Sequence, residues 1–238
     1  MHPINQAIRH LTDIFAELGF AVAVGPEIET EWYNFDALNI PKDHPARDMQ
    51  DTFWLKQPGV ESEKLKVKSE RRLLRTHTSP VQIRYMEQKL KEGGKPPYRI
   101  IVPGKIFRNE ATDATHEAQF FQVEGLYVDK EVSLAHLKGT LEFFLKKFIG
   151  PDVEIQFRPS FFAFTEPSAE VWMKLKGKWV EMGGSGLVHP NVLKAVGLSE
   201  GYSGFAFGMG LDRLVMLKTG VPDIRMLYNG DLRVINQF

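Results

Sequence analysis

The sequence predicts an α+β domain in which helices flank a mainly antiparallel β-sheet. Two amphipathic helical stripes lie near residues 4–18 and 133–149, and two alternating segments at 99–110 and 119–129 are typical of a hairpin. Helices and strands do not alternate regularly along the chain, as they would in a parallel α/β sheet. We therefore expect residues 1–238 to form one domain.

The composition indicates a soluble globular protein. Hydrophobic residues make up 43% of the chain and charged residues 25%, which excludes the disordered, collagen-like and membrane classes. The first residues lack the apolar core of a signal peptide, and no apolar run approaches the roughly 20 residues of a membrane span. The cytoplasm is the simplest compartment, and no membrane partner is expected.

The charge and cysteine counts narrow the chemistry. Lysine and arginine together number 30, as do aspartate and glutamate, so the chain has no overall positive charge that would attract a nucleic acid. A nucleic-acid partner would have to bind a local patch of positive charge. The chain has no cysteine, which excludes disulfides, a thiolate nucleophile and a cysteine-ligated zinc site.

The N-terminal third begins with the first helical stripe, which should end at Gly19. The segment FAVAVGPEIET that follows is predicted to be extended, and Pro26 within it removes a ladder donor and favours a sheet edge or an interface. Residues 32–55 show no period and are expected to be irregular. The highly charged segment 56–72 is expected to be a solvated loop or an exposed hairpin.

The remaining elements follow from capping and turn signals. Ser79 and Pro80 predict the start of a helix that runs to about Leu90, and KEGGKPP predicts a turn before the hairpin. The segments VEIQF, FFAFTEP and KWVEMGGSG predict further strands. GFAFGMGLDRLVMLKTG predicts a glycine-punctuated strand and then a helix that ends at Gly220.

The hairpin carries the first candidate site. Arg108 would present a planar guanidinium to a phosphate, Glu110 would share its face, and His116 at the tip would contact a polyphosphate. One face of the return strand carries a ring, an amide and a carboxylate, from Phe120, Gln122 and Glu124. A nucleotide needs a cation for its phosphates and a flat surface for its base. In an ordinary hairpin, however, Arg108 and Glu110 would pair with each other or with cross-strand partners.

Two further clusters have both a structural and a functional interpretation. In LRTHTSP, His77 and Ser79 would either form a polar wall of the same pocket or serve only as a loop residue and a helix cap. In FFAFTEPSAE, Phe162 and Phe164 share a face, and phenylalanines on a strand are commonly core residues. Glu166, which follows on that face, is harder to place in a core.

The segment GFAFGMGLDR differs from a dinucleotide-binding fingerprint. Its glycines, at positions 204, 208 and 210, do not have the G-x-G-x-x-G spacing, and no parallel βαβ unit surrounds them. Glycines instead let a backbone lie close beneath a ligand, and Arg213 in the first helical turn would reach over that ligand.

These residues resemble those of the catalytic alpha subunits of bacterial phenylalanyl-tRNA synthetases, a family of class II aminoacyl-tRNA synthetases. The likeness runs from about His2 to Phe238 and is carried, in the family's order, by YNFDALNIPKDHPARDMQDTF, LLRTHTSPVQIR, DATHEAQFFQVEG, FTEPSAE, GLVHPNVL and GFAFGMGLDRLVML. Pro26 resembles the interface proline of class II motif 1, the Arg108 hairpin resembles motif 2, and residues 208–217 resemble motif 3. The resemblance implies the class II catalytic fold and ATP-dependent attachment of phenylalanine to tRNA(Phe).

For ATP, the resemblance implies a role for each charged or aromatic group already identified. Arg108 would bind the α-phosphate, Glu110 the adenine amino group and His116 the outer phosphates. Phe120 and Arg213 would cover the two faces of adenine, with Arg213 near the γ-phosphate. Arg108 and Arg213 would be the catalytic residues, because they stabilise charge while the phenylalanine carboxylate attacks the α-phosphorus.

For the amino acid, the resemblance implies two groups of residues. The ammonium group would be surrounded by His77, Ser79, Gln122 and Glu124, with Trp54 at the border. The benzyl ring would lie among Phe162, Phe164, Ala206 and Gly208. No side chain of this set is aimed at a para hydroxyl, so tyrosine would be rejected mainly by shape, which discriminates modestly.

The resemblance also implies a cofactor and partners. Mg²⁺ would accompany ATP, and Glu166 corresponds to a magnesium ligand that the family shares with its partner subunit. That partner is a beta subunit, which also carries the editing activity, in an assembly of two alpha and two beta subunits. The interface at Pro26 would allow a homodimer in the absence of beta.

The sequence departs from the family pattern at several places. Asp212 stands where the family usually has glutamate beside the motif 3 arginine, and Phe121, on the opposite face from Phe120, stands where relatives often have histidine. The helical N-terminal arm with which bacterial relatives hold tRNA, and the C-terminal anticodon-binding domain of the organellar type, have no counterpart in these 238 residues.

Two other functions are compatible with the same pattern. An amino-acid-activating paralogue would form an adenylate without charging tRNA. A regulatory relative would bind an amino acid or tRNA without catalysis, but it would be expected to lose the phosphate-binding arginines, and Arg108 and Arg213 are both present.

Overall fold

A computed structural model describes residues 1–48, 51–56, 71–175, 177–198 and 201–237 of the chain. The α-helices are α1 Pro3–Glu17, α2 Glu31–Asn34, α3 Pro80–Lys91, α4 Leu134–Phe148, α5 Pro190–Ala195, α6 Leu211–Thr219 and α7 Leu232–Ile235. The strands are β1 Ala21–Val22, β2 Ile28–Thr30, β3 Arg72–Leu74, β4 Tyr98–Phe107, β5 Gln119–Asp129, β6 Glu154–Phe162, β7 Thr165–Leu175, β8 Lys178–Val188 and β9 Ser203–Gly210. Short 3-10 helices lie at Asp36–Leu38, Pro45–Arg47 and Ile224–Leu227.

Among the described residues, the central sheet has seven strands in the order β1-β4-β5-β9-β8-β7-β6. Every neighbouring pair is antiparallel except β1 and β4, which are parallel. The antiparallel α+β architecture predicted from the sequence is therefore confirmed. A separate two-stranded sheet pairs β2 with β3.

The two faces of the central sheet have different neighbours, because successive side chains of a strand point to opposite sides. On β9, Phe205, Phe207 and Met209 belong to the core cluster that α1, α4 and α6 cover. Ala206 of the same strand packs against a second cluster instead, beside α3 and α5. This second face also carries the polar residues considered below.

The helices around the sheet begin and end close to the predicted positions. α1 ends at Glu17 with Leu18 as its C-cap, and Gly19 follows with φ +76°. α6 ends at Thr219, and its C-cap Gly220 has a φ of +79° in the left-handed region that glycine adopts freely. The hairpin of β4 and β5 pairs Tyr98 with Val128 through Phe107 with Gln119, as the alternating pattern predicted.

Two predictions about local structure were wrong. Ser79 is the N-cap residue of α3 and Pro80 its first helical residue, as predicted, but the expected side-chain cap is absent because the Ser79 hydroxyl makes a tertiary hydrogen bond. The segment FFAFTEP is not one strand, because β6 ends at Phe162, the chain turns at Ala163 and Phe164, and β7 begins at Thr165.

The segments predicted to be irregular hold short helices. Residues 32–55 include most of α2 and two 3-10 turns, each shorter than a window in which periodicity is detectable. The short helix α5 was not predicted. Of the charged segment 56–72, residues 57–70 lie outside the described part of the chain. No helix within the described ranges is long and apolar enough to cross a membrane.

Candidate active site

A cavity of about 1050 Å³ opens on the second face of the sheet, above β5, β9 and β8. Of the site residues predicted from the sequence, the following line it: His77, Ser79, Arg108, Glu110, His116, Phe120, Gln122, Glu124, Phe162, Phe164, Ala206, Gly208 and Arg213. The fold thus brings together residues that are up to 136 positions apart in the sequence, from His77 to Arg213.

The floor of the cavity consists of small residues on β8 and β9. Gly184 lies opposite Gly208, and both line the cavity, as does Ala206. A methyl group at Gly208 would come within 2.9 Å of Gln122 Nε2, and one at Gly184 within 2.7 Å of the Phe162 ring. Side chains of neighbouring residues therefore occupy the space that these glycines leave.

Glu124 forms the polar centre of one end of the cavity. It is 4% exposed, and its carboxylate accepts hydrogen bonds from the backbone N–H of Thr78, the hydroxyl of Ser79 and the amide of Gln82, at 3.0, 2.5 and 2.9 Å. Burial raises the pKa of Glu124, while the hydrogen bonds from Ser79 and Thr78 oppose this rise. The carboxylate is held in one orientation and accepts donors from three sides.

The ring nitrogens of His77 are buried. Neither has a partner of good hydrogen-bond geometry among the described residues, although a backbone group of Asn34 lies close enough to oppose the fall in the pKa of the ring. Burial, reinforced by the positive charge of Arg108, lowers the pKa of His77 from 6.5 to about 3. The ring is neutral at pH 7 and offers one donor and one acceptor. An unsatisfied buried group is costly, so a ligand in the cavity is the natural partner for it.

Gln122 and the two phenylalanines complete this end of the cavity. The side-chain oxygen of Gln122 is also buried without a hydrogen-bond partner in the described part of the chain. The rings of Phe162 and Phe164 stack at 5.9 Å with an angle of 15° between them. A buried carboxylate and amide beside two stacked rings fit a ligand that has an ammonium group and an aromatic side chain.

Arg108 links the strand β4 to the loop that carries His77. It lies one residue beyond β4, its Nε donates to the carbonyl oxygen of Thr76 at 3.0 Å, and its guanidinium lies 5.3 Å from the centre of the Phe120 ring. Burial lowers the pKa of Arg108, whereas the charges of Glu110 and Glu124 oppose this. The alternative of a simple Arg108–Glu110 pair does not describe these contacts.

Arg213 lies at the same end of the cavity as Phe120, on the opposite wall. It lies in the first turns of α6, and its guanidinium donates to the carbonyl oxygen of Glu181 at 3.0 Å. His116 lies on the exposed loop between β4 and β5, where Asp113 accepts hydrogen bonds from its backbone N–H and pairs with its ring at 3.0 Å. Both residues therefore sit at the mouth of the cavity.

Asp212, beside Arg213, is 1% exposed. One carboxylate oxygen accepts the backbone N–H of Phe121 at 2.5 Å, and the other accepts the hydroxyl of Tyr228. Burial raises the pKa of Asp212 to about 6. The aspartate thus reaches two partners despite being shorter than the expected glutamate. Phe121 packs against the core of the opposite face, as its position relative to Phe120 predicted.

Two predicted site residues do not line the cavity. Trp54 packs against Phe35 at 6.0 Å, its Nε1 donates to the carbonyl oxygen of Arg47, and Arg71 covers its ring at 3.7 Å. Glu166 is exposed on β7. Period-two reasoning placed Glu166 beside Phe162 and Phe164, but the turn between β6 and β7 breaks that period.

Several lining residues were missed in the sequence. Gln82 follows Ser79 by three positions on a helix, so the i, i+3 rule would have placed it on the same face. Phe35 and Ser185 gave no comparable signal, because they reach the cavity through an irregular segment and through strand pairing.

The donor set of the cavity fits a magnesium ion that enters with a nucleotide. Within the described ranges no cluster of three or more His, Asp or Glu side chains is placed to hold a metal alone. Glu110, Glu117 and Glu181 line the cavity, as Arg108 and Arg213 do. Mg²⁺ is commonly bound by one or two carboxylates and by substrate phosphates, which requires no complete protein cage.

Comparison with curated proteins gives close relatives over the whole chain. The chain is 52% identical to a phenylalanine–tRNA ligase alpha subunit of Synechocystis sp., covering 100% of this chain and 66% of that protein. It is 53% identical to the alpha subunit of Proteus mirabilis and 50% identical to that of Bacillus subtilis, covering 68% of each. The chain therefore spans about two thirds of the length of these relatives.

Solved structures agree on the fold. The pyrrolysyl-tRNA synthetase of Desulfitobacterium hafniense superposes with a TM-score of 0.71 at 18% identity, covering 95% of this chain and 73% of that one. The family model described as tRNA synthetases class II core domain (F) matches residues 1–238. The chain belongs to this class II family, and within it to the phenylalanine–tRNA ligase alpha subunits.

Proposed function

We propose that this chain, as a single catalytic domain, activates L-phenylalanine with ATP and transfers the resulting phenylalanyl group to tRNA(Phe). The observation that supports this most is the arrangement of the cavity. Its buried carboxylate at Glu124 and the stacked rings of Phe162 and Phe164 lie at one end, and Arg108, Phe120 and Arg213 line its other part. An aromatic amino acid and a nucleotide would occupy these two parts side by side.

The amino acid would bind through its ammonium group and its ring. Glu124 supplies negative charge, and Gln122 and His77 supply buried polar atoms that lack a hydrogen-bond partner in the described chain. The ring would lie against Phe162 and Phe164, over Ala206 and the floor at Gly208. Trp54 would not touch the ligand. It would instead pack against Phe35 and hold that ring in position.

ATP would bind between the hairpin and α6. Phe120 would lie under the adenine and Arg213 over it, while Glu110 would accept the adenine amino group. Arg108 would hold the α-phosphate, and His116 at the mouth would contact the outer phosphates. Magnesium would neutralise phosphate charge, with Glu110, Glu117 and Glu181 as nearby carboxylates. Exposed Glu166 would need ligands from a partner subunit to form a metal site.

The reaction needs no protein nucleophile. A carboxylate oxygen of phenylalanine attacks the α-phosphorus, a new O–P bond forms, and the bond from the α-phosphorus to the bridging oxygen breaks to release pyrophosphate. Arg108 and Arg213 stabilise the negative charge that develops on the phosphate oxygens. Fixed positions for both substrates convert an encounter into a reaction within one complex.

Transfer to tRNA would follow in the same cavity. A hydroxyl of the terminal ribose attacks the carbonyl carbon of the adenylate, the ester forms, and AMP leaves. The named relatives are alpha subunits, so we infer a beta-type partner, with two of each subunit. The chain carries no net charge, so tRNA affinity would depend on other parts of the assembly.

Phenylalanine-dependent exchange of labelled pyrophosphate into ATP tests the proposal, first with this chain alone and then with a matching beta subunit. We expect exchange with phenylalanine and little with tyrosine, and charging of tRNA(Phe) once the assembly is complete. A folded protein that gives no exchange in either experiment would contradict the proposal. Exchange without any charging would favour the amino-acid-activating paralogue.

A further inference from the structure

We propose that Tyr228 is a positioning residue for the ATP site and acts through Asp212. This inference rests on the proposed function, because it assigns Phe120 and Arg213 to the nucleotide. Tyr228 is 16 residues from Asp212 in the sequence and is not among the residues that line the cavity. Its hydroxyl therefore does not touch the ligand and would act only by holding the carboxylate.

The Asp212 carboxylate accepts a backbone hydrogen bond from β5 at the point where the neighbouring strand β9 has ended. β9 ends at Gly210, whose register partner on β5 is Gln122, and α6 begins at Leu211. Phe121, which precedes Gln122 on β5, lies just beyond this last pair of β5 and β9 residues. The carboxylate of Asp212 accepts the N–H of Phe121 at 2.5 Å and so continues the connection between β5 and the start of α6.

This connection lies between the two groups proposed to cover adenine. Phe121 directly follows Phe120, and Asp212 directly precedes Arg213, and both Phe120 and Arg213 line the cavity. A bond from Phe121 to Asp212 therefore fixes the gap between a ring on β5 and a guanidinium on α6. The width of that gap decides how well a flat base fits between them.

Tyr228 fixes the second oxygen of the same carboxylate. Its hydroxyl donates to Oδ1, while Oδ2 is engaged by Phe121, so the carboxylate cannot rotate without losing a charge-assisted hydrogen bond. The segment that carries Tyr228 is itself anchored, since His2 Nε2 lies 2.8 Å from the carbonyl oxygen of Leu227. In addition, the N–H of Ile224 donates to the carbonyl oxygen of Ala114 at 2.9 Å.

The decisive variant is Tyr228→Phe in the intact assembly. We expect the KM for ATP in pyrophosphate exchange to rise about fivefold, with kcat and the KM for phenylalanine within about twofold of the parent. The control is Tyr98→Phe, which removes a tyrosine hydroxyl bonded to the Gly94 carbonyl oxygen at 3.0 Å, away from the cavity. It should lower the melting temperature comparably and leave the KM for ATP unchanged.

A coupling experiment separates positioning from general loosening. In an Asp212→Ala background, Tyr228→Phe should cause no further rise in the KM for ATP, because its partner is gone. If Asp212→Ala does not fold, Asp212→Asn serves, and the neutral amide should reduce the Tyr228→Phe effect. The inference would be overturned if Tyr228→Phe still raised the KM for ATP in full in these backgrounds. It would also be overturned if Tyr228→Phe raised the KM for phenylalanine as much as the KM for ATP.

Calorimetric titration with Mg·ATP in the absence of phenylalanine keeps the two proposals distinguishable. A parent that binds ATP but shows no phenylalanine-dependent exchange would contradict the proposed function only. Equal ATP affinity for the parent and Tyr228→Phe would contradict the positioning role only.

Discussion

The hydroxyl of Ser79 donates to the buried carboxylate of Glu124 across 2.5 Å, and for this reason it does not cap the helix that it precedes. The same carboxylate accepts the backbone N–H of Thr78, so two consecutive residues of the loop are fixed to β5. The loop that carries His77 is thereby held against the strand that carries Gln122 and Glu124. The end of the cavity proposed to hold the amino acid depends on this contact.

Replacing Glu124 by glutamine should weaken phenylalanine binding selectively. Loss of a charged partner for the ammonium group costs about 1.5–3 kcal/mol, which corresponds to a rise in the KM for phenylalanine of roughly tenfold to a hundredfold. The KM for ATP should stay within about twofold. Glu29→Gln is the matched control, since Glu29 is also buried but pairs with Arg84 outside the cavity. An unchanged KM for phenylalanine in Glu124→Gln would refute the assigned role.

Arg108→Lys should lower kcat for pyrophosphate exchange by about a hundredfold or more, because a single ammonium cannot reproduce the planar fork aimed at the phosphate. The fold should persist, although the substitution also removes the hydrogen bond that the Arg108 Nε donates to the carbonyl oxygen of Thr76. Arg99→Lys, at an exposed arginine on β4, should leave kcat unchanged. If Arg108→Lys has a native circular dichroism spectrum and the same kcat as the parent, Arg108 does not have the proposed role in the reaction.

Gly208→Ala should close part of the phenylalanine subsite. The added methyl group would lie 2.9 Å from Gln122 Nε2 and 3.2 Å from Glu124 Cγ, and because three hydrogen bonds hold the Glu124 carboxylate, it would displace the Gln122 amide. We expect phenylalanine affinity, measured by calorimetry, to fall about tenfold or more. The matched control is Gly139→Ala on the exposed face of α4, where a methyl group meets nothing within 4 Å. That control should increase the free energy of unfolding by about 0.5–1 kcal/mol and leave binding intact. Equal affinity in the two variants would contradict the assignment of the floor.

His77 should make the fold sensitive to acid. Its pKa is about 3 in the folded protein and 6.5 without burial, so between these values the unfolded chain binds a proton that the folded protein does not. The stabilisation is therefore present above pH 6.5 and is lost as the pH falls toward 3. From pH 7.5 to 5 this one group should reduce the free energy of unfolding by about 2 kcal/mol. Urea titrations of the parent and His77→Gln at both pH values measure this, and an identical pH dependence in the two would refute it.

Local patterns predicted most of the elements, because each depends on residues close in the sequence. The stripes of α1 and α4 repeat with helical period, and the β4–β5 hairpin alternates with period two on both strands. The incorrect predictions failed because they also relied only on residues that are close in the sequence. FFAFTEP contains the turn between two strands, and Ser79 has a tertiary acceptor that competes with the local one.

The sequence by itself determined which chemical groups are available and which face of each strand they share. It placed Phe120, Gln122 and Glu124 on one side of β5, and it supplied the motifs that resemble class II synthetases. Only the tertiary structure decided which of these groups meet. Strand pairing brings Gly208 beside Glu124, and the end of β9 lets Asp212 reach both Phe121 and the distant Tyr228. Such contacts depend on register and on where a strand stops, which no local periodicity encodes.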